Sequence, residues 1–155
     1  MKRLFLLAAV LMLAANTSYA QTIACDPVNG PCFEAQSVFN NASGALDVGD
    51  VVIWDVDAST GDNDNYVNTT TNAMTGLVAG VVYPAAIAVG AQGSIVTYGE
   101  VTVDATTDGS APVSEGYICT SGTAGAARTC GVGQNHFGQA TANASGGSVT
   151  AFINP

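Results

Sequence analysis

Short runs of β-branched and aromatic residues, separated by glycine, asparagine and aspartate, most limit how this 155-residue chain can fold. After residue 20, no segment repeats its apolar residues at the 3.6-residue interval of an amphipathic helix. In the clearest run, Val51–Asp57, the apolar residues Trp54 and Val56 alternate with two aspartates. Alternation at every second residue places apolar side chains on one face of a strand. The sequence therefore predicts an all-β protein.

The spacing of these runs predicts a single small β-barrel or sandwich of about nine short strands, in residues 47–155. Residues 21–46 contain Pro27 and Pro31 and little periodicity, so we expect an irregular N-terminal arm there. The predicted strands are Val51–Asp57, Tyr66–Thr71, Leu77–Tyr83, Ser94–Tyr98, Val101–Thr106, Gly116–Thr120, Ala126–Cys130, His136–Ala142 and Ser148–Ile153.

Residues 1–20 have the pattern of a cleaved signal peptide. Lys2 and Arg3 precede the apolar run Leu4–Ala15, and Ser18 and Ala20 are small residues at the positions that a signal peptidase reads. The run is shorter than a helix that spans roughly 30 Å of hydrocarbon, which disfavours a membrane anchor. We therefore predict a secreted protein (periplasm, cell surface or extracellular medium) that begins at Gln21 and does not insert into a membrane after cleavage.

Cleavage leaves a strongly acidic chain. Arg128 becomes the only lysine or arginine against twelve acids, a net charge of 1 − 12 = −11. Such a chain cannot neutralise a phosphate backbone, so nucleic-acid binding is excluded as a function class.

The four cysteines form two local pairs after the cleavage site. An even number of cysteines in an exported chain is typical of disulfides, and we predict Cys25–Cys32 and Cys119–Cys130. The second pair brackets TSGTAGAART, whose midpoint between Ala124 and Gly125 indicates a symmetric hairpin. Neither spacing has the two to four residues typical of a zinc knuckle.

The stretch WDVDASTGDNDNYV is the candidate calcium loop. A calcium loop of the EF-hand type needs glycine at its sixth position and glutamate at its twelfth. Counting from Asp55, these positions hold Thr60 and Tyr66. Aspartate, asparagine and glycine are also the residues that favour turns. We interpret the stretch as a hairpin tip, predict no metal site from its aspartates (Asp55, Asp57, Asp62 and Asp64), and leave a weak calcium site as the alternative.

The sequence contains no pattern that indicates catalysis. His136 is the single histidine, and no G-x-S-x-G motif accompanies the serines. Glycine-rich segments such as Gly122–Gly125 are not followed by a predicted helix that could bind a phosphate. We therefore predict that the protein is not an enzyme and needs no cofactor.

From Gly49 to Ile153, the order of segments resembles a known family. GDVVIWD is followed by LVAGVV, GSIVTYGEVTV, APVSEGYICTSGTAGAA and GQNHFGQATANASGGSVTAFI. This order is similar to the small β-barrel domains of tailed-phage capsid decoration (cement) proteins and related fibre proteins. The resemblance implies an all-β, trimeric domain that reinforces a protein lattice and catalyses no reaction. A signal peptide and disulfides are not normal for a phage protein that assembles in the cytoplasm.

The sequence thus predicts a secreted structural protein. It either self-associates as a homo-oligomer or decorates a larger extracellular or virion-like assembly, such as a protein lattice or filament. Location in a virion is the alternative to secretion. The alternative function is an extracellular carbohydrate- or ligand-binding module, which requires an exposed aromatic surface. The tyrosines available for it are Tyr66, Tyr83, Tyr98 and Tyr117.

Overall fold

A computed structural model describes residues 22–25, 32–56, 65–73, 75–106 and 110–155, with the backbone alone for 22–25. These residues contain ten strands in one hydrogen-bonded sheet. The all-β prediction is confirmed. The strands are β1 (Thr22–Cys25), β2 (Cys32–Asn40), β3 (Val51–Trp54), β4 (Tyr66–Asn68), β5 (Val78–Val82), β6 (Gln92–Asp104), β7 (Tyr117–Thr120), β8 (Ala127–Thr129), β9 (Gly138–Ala140) and β10 (Ser148–Ile153).

The strand order has two parts that share β6. In the first part, β2, β4, β3, β5 and β6 pair in that order, and β6 also pairs with β2, so the pairings form a closed circuit. The β2–β4 pair is parallel, and the other pairs of the circuit are antiparallel. In the second part, β6, β10, β9, β7 and β8 pair in sequence, all antiparallel. We refer to this second part as the second sheet.

Neighbouring residues of β3, β5 and β6 belong to different hydrophobic clusters. Val51 packs in one cluster and Val52 in the other, and Val81 and Val82 divide in the same way. These strands are therefore buried on both faces, which explains why VVIW and VAGVV are continuous apolar runs rather than alternating ones. One cluster consists of Val38, Ala42, Leu46, Val52, Val67, Ala79, Val82, Ile87 and Ile95. The other consists of Val51, Val81, Val96, Val101, Val103, Ala105, Ile118, Ala127, Phe137, Ala140, Val149, Ala151 and Ile153.

The two strands predicted at Ser94–Tyr98 and Val101–Thr106 form a single strand. Gly99 lies between them with φ +118°, a conformation that side chains other than glycine rarely adopt. β6 continues through this residue because its partner changes there. β2 pairs with β6 up to Tyr98, and β10 pairs with it from Gly99 onward.

The N-terminal region differs from the sequence prediction. Residues 32–40 are a nine-residue strand rather than an irregular arm, and residues 22–25 pair with it in an antiparallel hairpin. Apolar and polar residues alternate from Phe33 to Gln36, but the alternation breaks at Ser37, which leaves a run too short to identify a nine-residue strand. β2 nevertheless forms because hydrogen bonds to β1, β4 and β6 satisfy its backbone, and because Val38 is fully buried.

The remaining predicted strands are present but mostly shorter. The strand predicted at Val51–Asp57 ends at Trp54, before the alternating residue Val56, which is 62% exposed, and the one predicted at Tyr66–Thr71 ends at Asn68. Four others lose one or two residues at one or both ends. The last strand has the predicted bounds, Ser148–Ile153. The predicted hairpin 119–130 is present as the antiparallel pair β7–β8, but its pairs Cys119–Arg128 and Thr120–Ala127 centre the turn one residue earlier than predicted. The turn begins early because the Ser121 hydroxyl accepts a hydrogen bond from the Thr123 amide at 2.9 Å. In the part of the chain that the structure describes, no helix has the length and apolar character needed to cross a bilayer.

Candidate interaction surfaces

Two loops form an exposed surface of small apolar residues, which we call the apolar loop pair: residues 43–48 and 84–90. The backbones of Leu46 and Ile87 join the loops through reciprocal hydrogen bonds of 3.0 and 2.8 Å. These two side chains are buried and every other residue of both loops is exposed, including Val48 and Val89 at 43% and 57%. Asp47 is the one charged residue of the pair. The loop pair is therefore a nearly uncharged surface on an acidic protein.

The buried side chain of Asn40 connects the two loops of the apolar loop pair through hydrogen bonds. Its side chain is 1% exposed, and its amide nitrogen donates to the carbonyls of Gly44 (2.9 Å) and Ile87 (2.8 Å). Its amide oxygen accepts a hydrogen bond from the Ala42 backbone at 2.7 Å. Both loops are thus held by one fully satisfied polar side chain. This role of Asn40 was not predictable, because no sequence pattern indicates that Asn40 and Ile87 are neighbours in the fold.

The second surface is a row of side chains on the solvent face of the second sheet, which we call the aromatic row: Tyr98, Phe152, Gln139 and Tyr117. Phe152 lies directly opposite Gln139, and Gln139 lies opposite Tyr117, so the three occupy neighbouring strands at one level. Tyr98 is 44% exposed, Phe152 39% and Tyr117 56%. The opposite face of the same strands carries the buried residues Ile118, Ala140 and Ala151.

Ring contacts extend the aromatic row at both ends. The Tyr98 ring meets the Phe152 ring edge-on at a centroid distance of 5.0 Å. At the other end, the Tyr117 ring lies 4.5 Å from the exposed His136 ring. A shallow hollow between the two ends is lined by Tyr117, His136, Gln139, Phe152 and Asn154, together with the backbone at Gly138. The row is therefore one continuous surface.

Three carboxylates converge where β6 ends. The Asp50 carboxylate accepts a hydrogen bond from the Asp47 backbone amide at 2.8 Å. The Asp104 backbone amide donates a hydrogen bond to the Gly49 carbonyl at 2.9 Å. Partial burial raises the pKa of Asp50, helped by the negative charges of Asp104 and Asp47 and opposed by the hydrogen bond from Asp47. Burial and the charge of Asp47 also raise the pKa of Asp104. No three His, Cys, Asp or Glu residues within the described ranges are arranged to hold a metal ion.

The predicted cysteine pairs lie at two hairpins. Cys119 and Cys130 form a disulfide with Cα atoms 5.4 Å apart, as predicted. The backbone of Cys25 lies directly opposite that of Cys32 in the β1–β2 hairpin, and Cys32 is disulfide-bonded. The side chain of Cys25 lies outside the described residues, so the Cys25–Cys32 pairing itself stays a prediction.

The structure brings two of the other residues that the sequence singled out, Tyr98 and Tyr117, into a described surface. Asp57, Asp62 and Asp64 of the candidate calcium loop lie outside the described residues, so that interpretation stays a prediction. Asp55 is described, and its carboxylate accepts a hydrogen bond from the Asn41 side chain at 2.7 Å. Of the four tyrosines considered for binding, Tyr98 and Tyr117 belong to the aromatic row. Tyr66 instead packs against Phe39, at 5.5 Å between ring centroids.

The described residues therefore form an all-β protein with two exposed surfaces, the apolar loop pair and the aromatic row. No family model matches the chain, and no curated protein matches it. The fold is similar to a solved structure, the head fiber gp8.5 N base of bacteriophage phi29, with a TM-score of 0.54 and 20% sequence identity. The match covers 77% of this chain and 94% of that one. At this identity the similarity concerns the fold, and it is consistent with the resemblance to phage structural proteins.

Proposed function

We propose that the protein is a non-enzymatic, secreted structural protein whose copies associate through the apolar loop pair. The observation that carries this proposal is the exposure of Val48 and Val89 beside small residues on a nearly uncharged surface. Contiguous apolar surface on a soluble protein commonly marks a contact with another protein. A second copy of the chain is the partner that this surface fits.

The charge of the mature chain decides where copies can meet. A net charge of −11 opposes association over most of the surface. Repulsion is weakest where charges are fewest, which is at residues 84–90 of the apolar loop pair, since the other loop carries Asp47 beside Asp50 and Asp104. Salt shortens the range of the remaining repulsion to about 8 Å at physiological ionic strength. Association should therefore tighten as salt is raised.

The hydrogen bonds of Asn40 favour association through the same loops. Binding is weakened when a flexible surface must become ordered in the complex. Here the Asn40 side chain already holds the Gly44 and Ile87 carbonyls at 2.9 and 2.8 Å. The loop pair therefore meets its partner with little further loss of conformational entropy.

The similar solved structure belongs to a phage head fibre, which supports a structural role in an assembly. A homotrimer is the symmetry that the resemblance to decoration proteins implies. The signal pattern of residues 1–20 and the Cys119–Cys130 disulfide favour an assembly outside the cytoplasm, on a cell surface or as a filament. A virion is the alternative location.

Light scattering after size exclusion tests this proposal. The secreted protein, with Gln21 as its first residue by intact mass, should be an oligomer, and its stability should increase with salt. Val89→Asp places a charge in the loop pair and should shift the protein toward monomer. Val113→Asp is the matched control, because Val113 is similarly exposed (52%) but lies in the segment between β6 and β7, outside the apolar loop pair. A monomer at every salt concentration, at tens of micromolar protein, would count against the proposal.

A further inference from the structure

We propose that the aromatic row is a binding site for an extended, uncharged β-1,4-linked polysaccharide. The site goes beyond the association of copies proposed above, because it uses the second sheet rather than the apolar loop pair. Its partner is identified by three properties of the row: the spacing of its rings, the polar groups between them and the charge around them.

The spacing of the rings suits a linear sugar chain. Phe152 lies on β10 and Tyr117 on β7, with β9 between them. Neighbouring strands lie about 4.8 Å apart, so the two positions are separated by roughly 10 Å. An extended β-1,4-linked glycan repeats over a comparable distance, one disaccharide. The rings can therefore lie under alternate sugar units, each against the C–H face of a pyranose.

The side chain between the rings can hold the sugar hydroxyls. Gln139 lies at the same level as Phe152 and Tyr117, and its amide nitrogen donates to the Glu115 carbonyl at 2.9 Å. A primary amide has two donor hydrogens and an acceptor oxygen, so this hydrogen bond orients the amide and leaves capacity for a ligand. Asn154 also lines the hollow. Aromatic rings combined with a few oriented amides are the groups that recognise a polyhydroxylated chain.

The charge near the row selects against acidic polymers. Glu100 lies directly opposite Phe152, on β6, and Glu34 lies opposite Tyr98, on β2. Arg128, the only lysine or arginine after residue 20, lies opposite Cys119, two residues after Tyr117, so a single positive charge borders the row. A sulfated or carboxylated glycan at this surface therefore meets carboxylates and little positive charge. A neutral polysaccharide carries no such penalty.

The shape of the row also favours a chain over a compact ligand. The hollow beside Phe152 continues past Tyr117 and His136 to a second one lined by Val132 and Gln134. The two hollows share Tyr117 and His136 in their linings, so they adjoin at this end of the row. Tyr117 is the central contact of this surface.

Sedimentation with microcrystalline cellulose and with chitin, and calorimetric titration with cellohexaose, test the proposal on the mature protein. The wild type should bind these glycans and should not bind heparin. Tyr117→Ala should weaken binding about tenfold, the effect of losing one stacked ring. Tyr117→Phe should retain binding, since it keeps the ring. Tyr66→Ala is the matched control, because that tyrosine lies on β4, in the first part of the sheet.

Gln139→Ala provides a second variant that removes the central amide and leaves every ring in place, and it should also weaken binding. The proposal is overturned if the folded protein binds none of the three uncharged glycans, or if Tyr117→Ala and Gln139→Ala bind as the wild type does. It is also overturned if Tyr117→Ala alters only the oligomer mass in light scattering, which would assign the row to a contact between copies. Loss of oligomers in Val89→Asp with glycan binding intact would separate the two proposals.

Discussion

Substitution of Gly80 by alanine tests how closely the strands of the circuit pack. Gly80 lies on β5 between β3 and β6. An added Cβ would collide with the carbonyl oxygen of Val96 and lie 3.1 Å from its carbonyl carbon and 3.2 Å from Cδ1 of Ile95. The backbone of Val96 cannot retreat freely, because this residue pairs with Val81 on one side and with Ala35 on the other.

The expected cost of Gly80→Ala is that of overpacking a closely packed interior. Such changes lower the free energy of unfolding by roughly 1–3 kcal/mol, and the upper half applies here because the obstacle is backbone held by two neighbours. A loss of about 2–3 kcal/mol lowers the melting temperature of a chain of this size by roughly 10 °C. Gly80 is not one of the described glycines with a positive φ. The cost of the added Cβ is therefore steric rather than conformational.

Urea denaturation followed by circular dichroism measures this loss. Gly122→Ala is the matched control, because the nearest atom to its added Cβ is the Thr71 carbonyl oxygen at 4.0 Å and its φ is not positive. Gly122→Ala should leave the stability unchanged or raise it by up to about 1 kcal/mol, through the unfolded chain. A Gly80→Ala variant within about 0.5 kcal/mol of the wild type would refute the packing described here, since that is the range of an ordinary surface substitution.

Two further predictions concern the disulfide and the carboxylates. Replacing Cys119 and Cys130 by serine should lower the free energy of unfolding by about 3 kcal/mol. The two cysteines are separated by 11 positions, and the loop between them gains entropy in the unfolded chain once the disulfide is removed. A urea denaturation midpoint equal to that of the wild type would contradict this. The raised pKa values of Asp50 and Asp104 mean that their contribution to stability is fully present below the unfolded pKa and is lost as the pH rises through the folded pKa. Stability in urea titrations should therefore increase as the pH is lowered from neutral toward the unfolded pKa of aspartate, and Asp50→Asn should reduce that increase while Asp55→Asn, outside the cluster, should preserve it.

Strands were predictable where burial follows a simple rule in the sequence. Val51–Trp54 and Ser148–Ile153 combine β-branched or aromatic residues with flanking turn residues, and both were found. The Cys119–Cys130 disulfide was predictable because its two halves are close in the sequence and flank a turn. These features depend on residues within a dozen positions of one another.

Features that depend on distant residues were not predictable. β2 was missed because its strand character comes from pairing with β6, whose residues lie about sixty positions away. The aromatic row was missed because Tyr98, Tyr117, Gln139 and Phe152 come together only through the strand order of the second sheet. The apolar loop pair likewise depends on the bridge between Leu46 and Ile87. Register over such distances leaves no periodic signal in a single sequence.

The position of β6 also has a consequence for how the chain folds. Its thirteen residues pair with β2 and β5 on the N-terminal side of the sequence and with β10 at the C-terminal end. These strands are far apart in the sequence, so long segments of chain must close into loops before most of the stabilising contacts form. This requirement slows folding. Neither part of the sheet is complete until β6 is in place, and neither can lose it alone. We therefore expect the two parts to melt together in one cooperative transition rather than in separate steps.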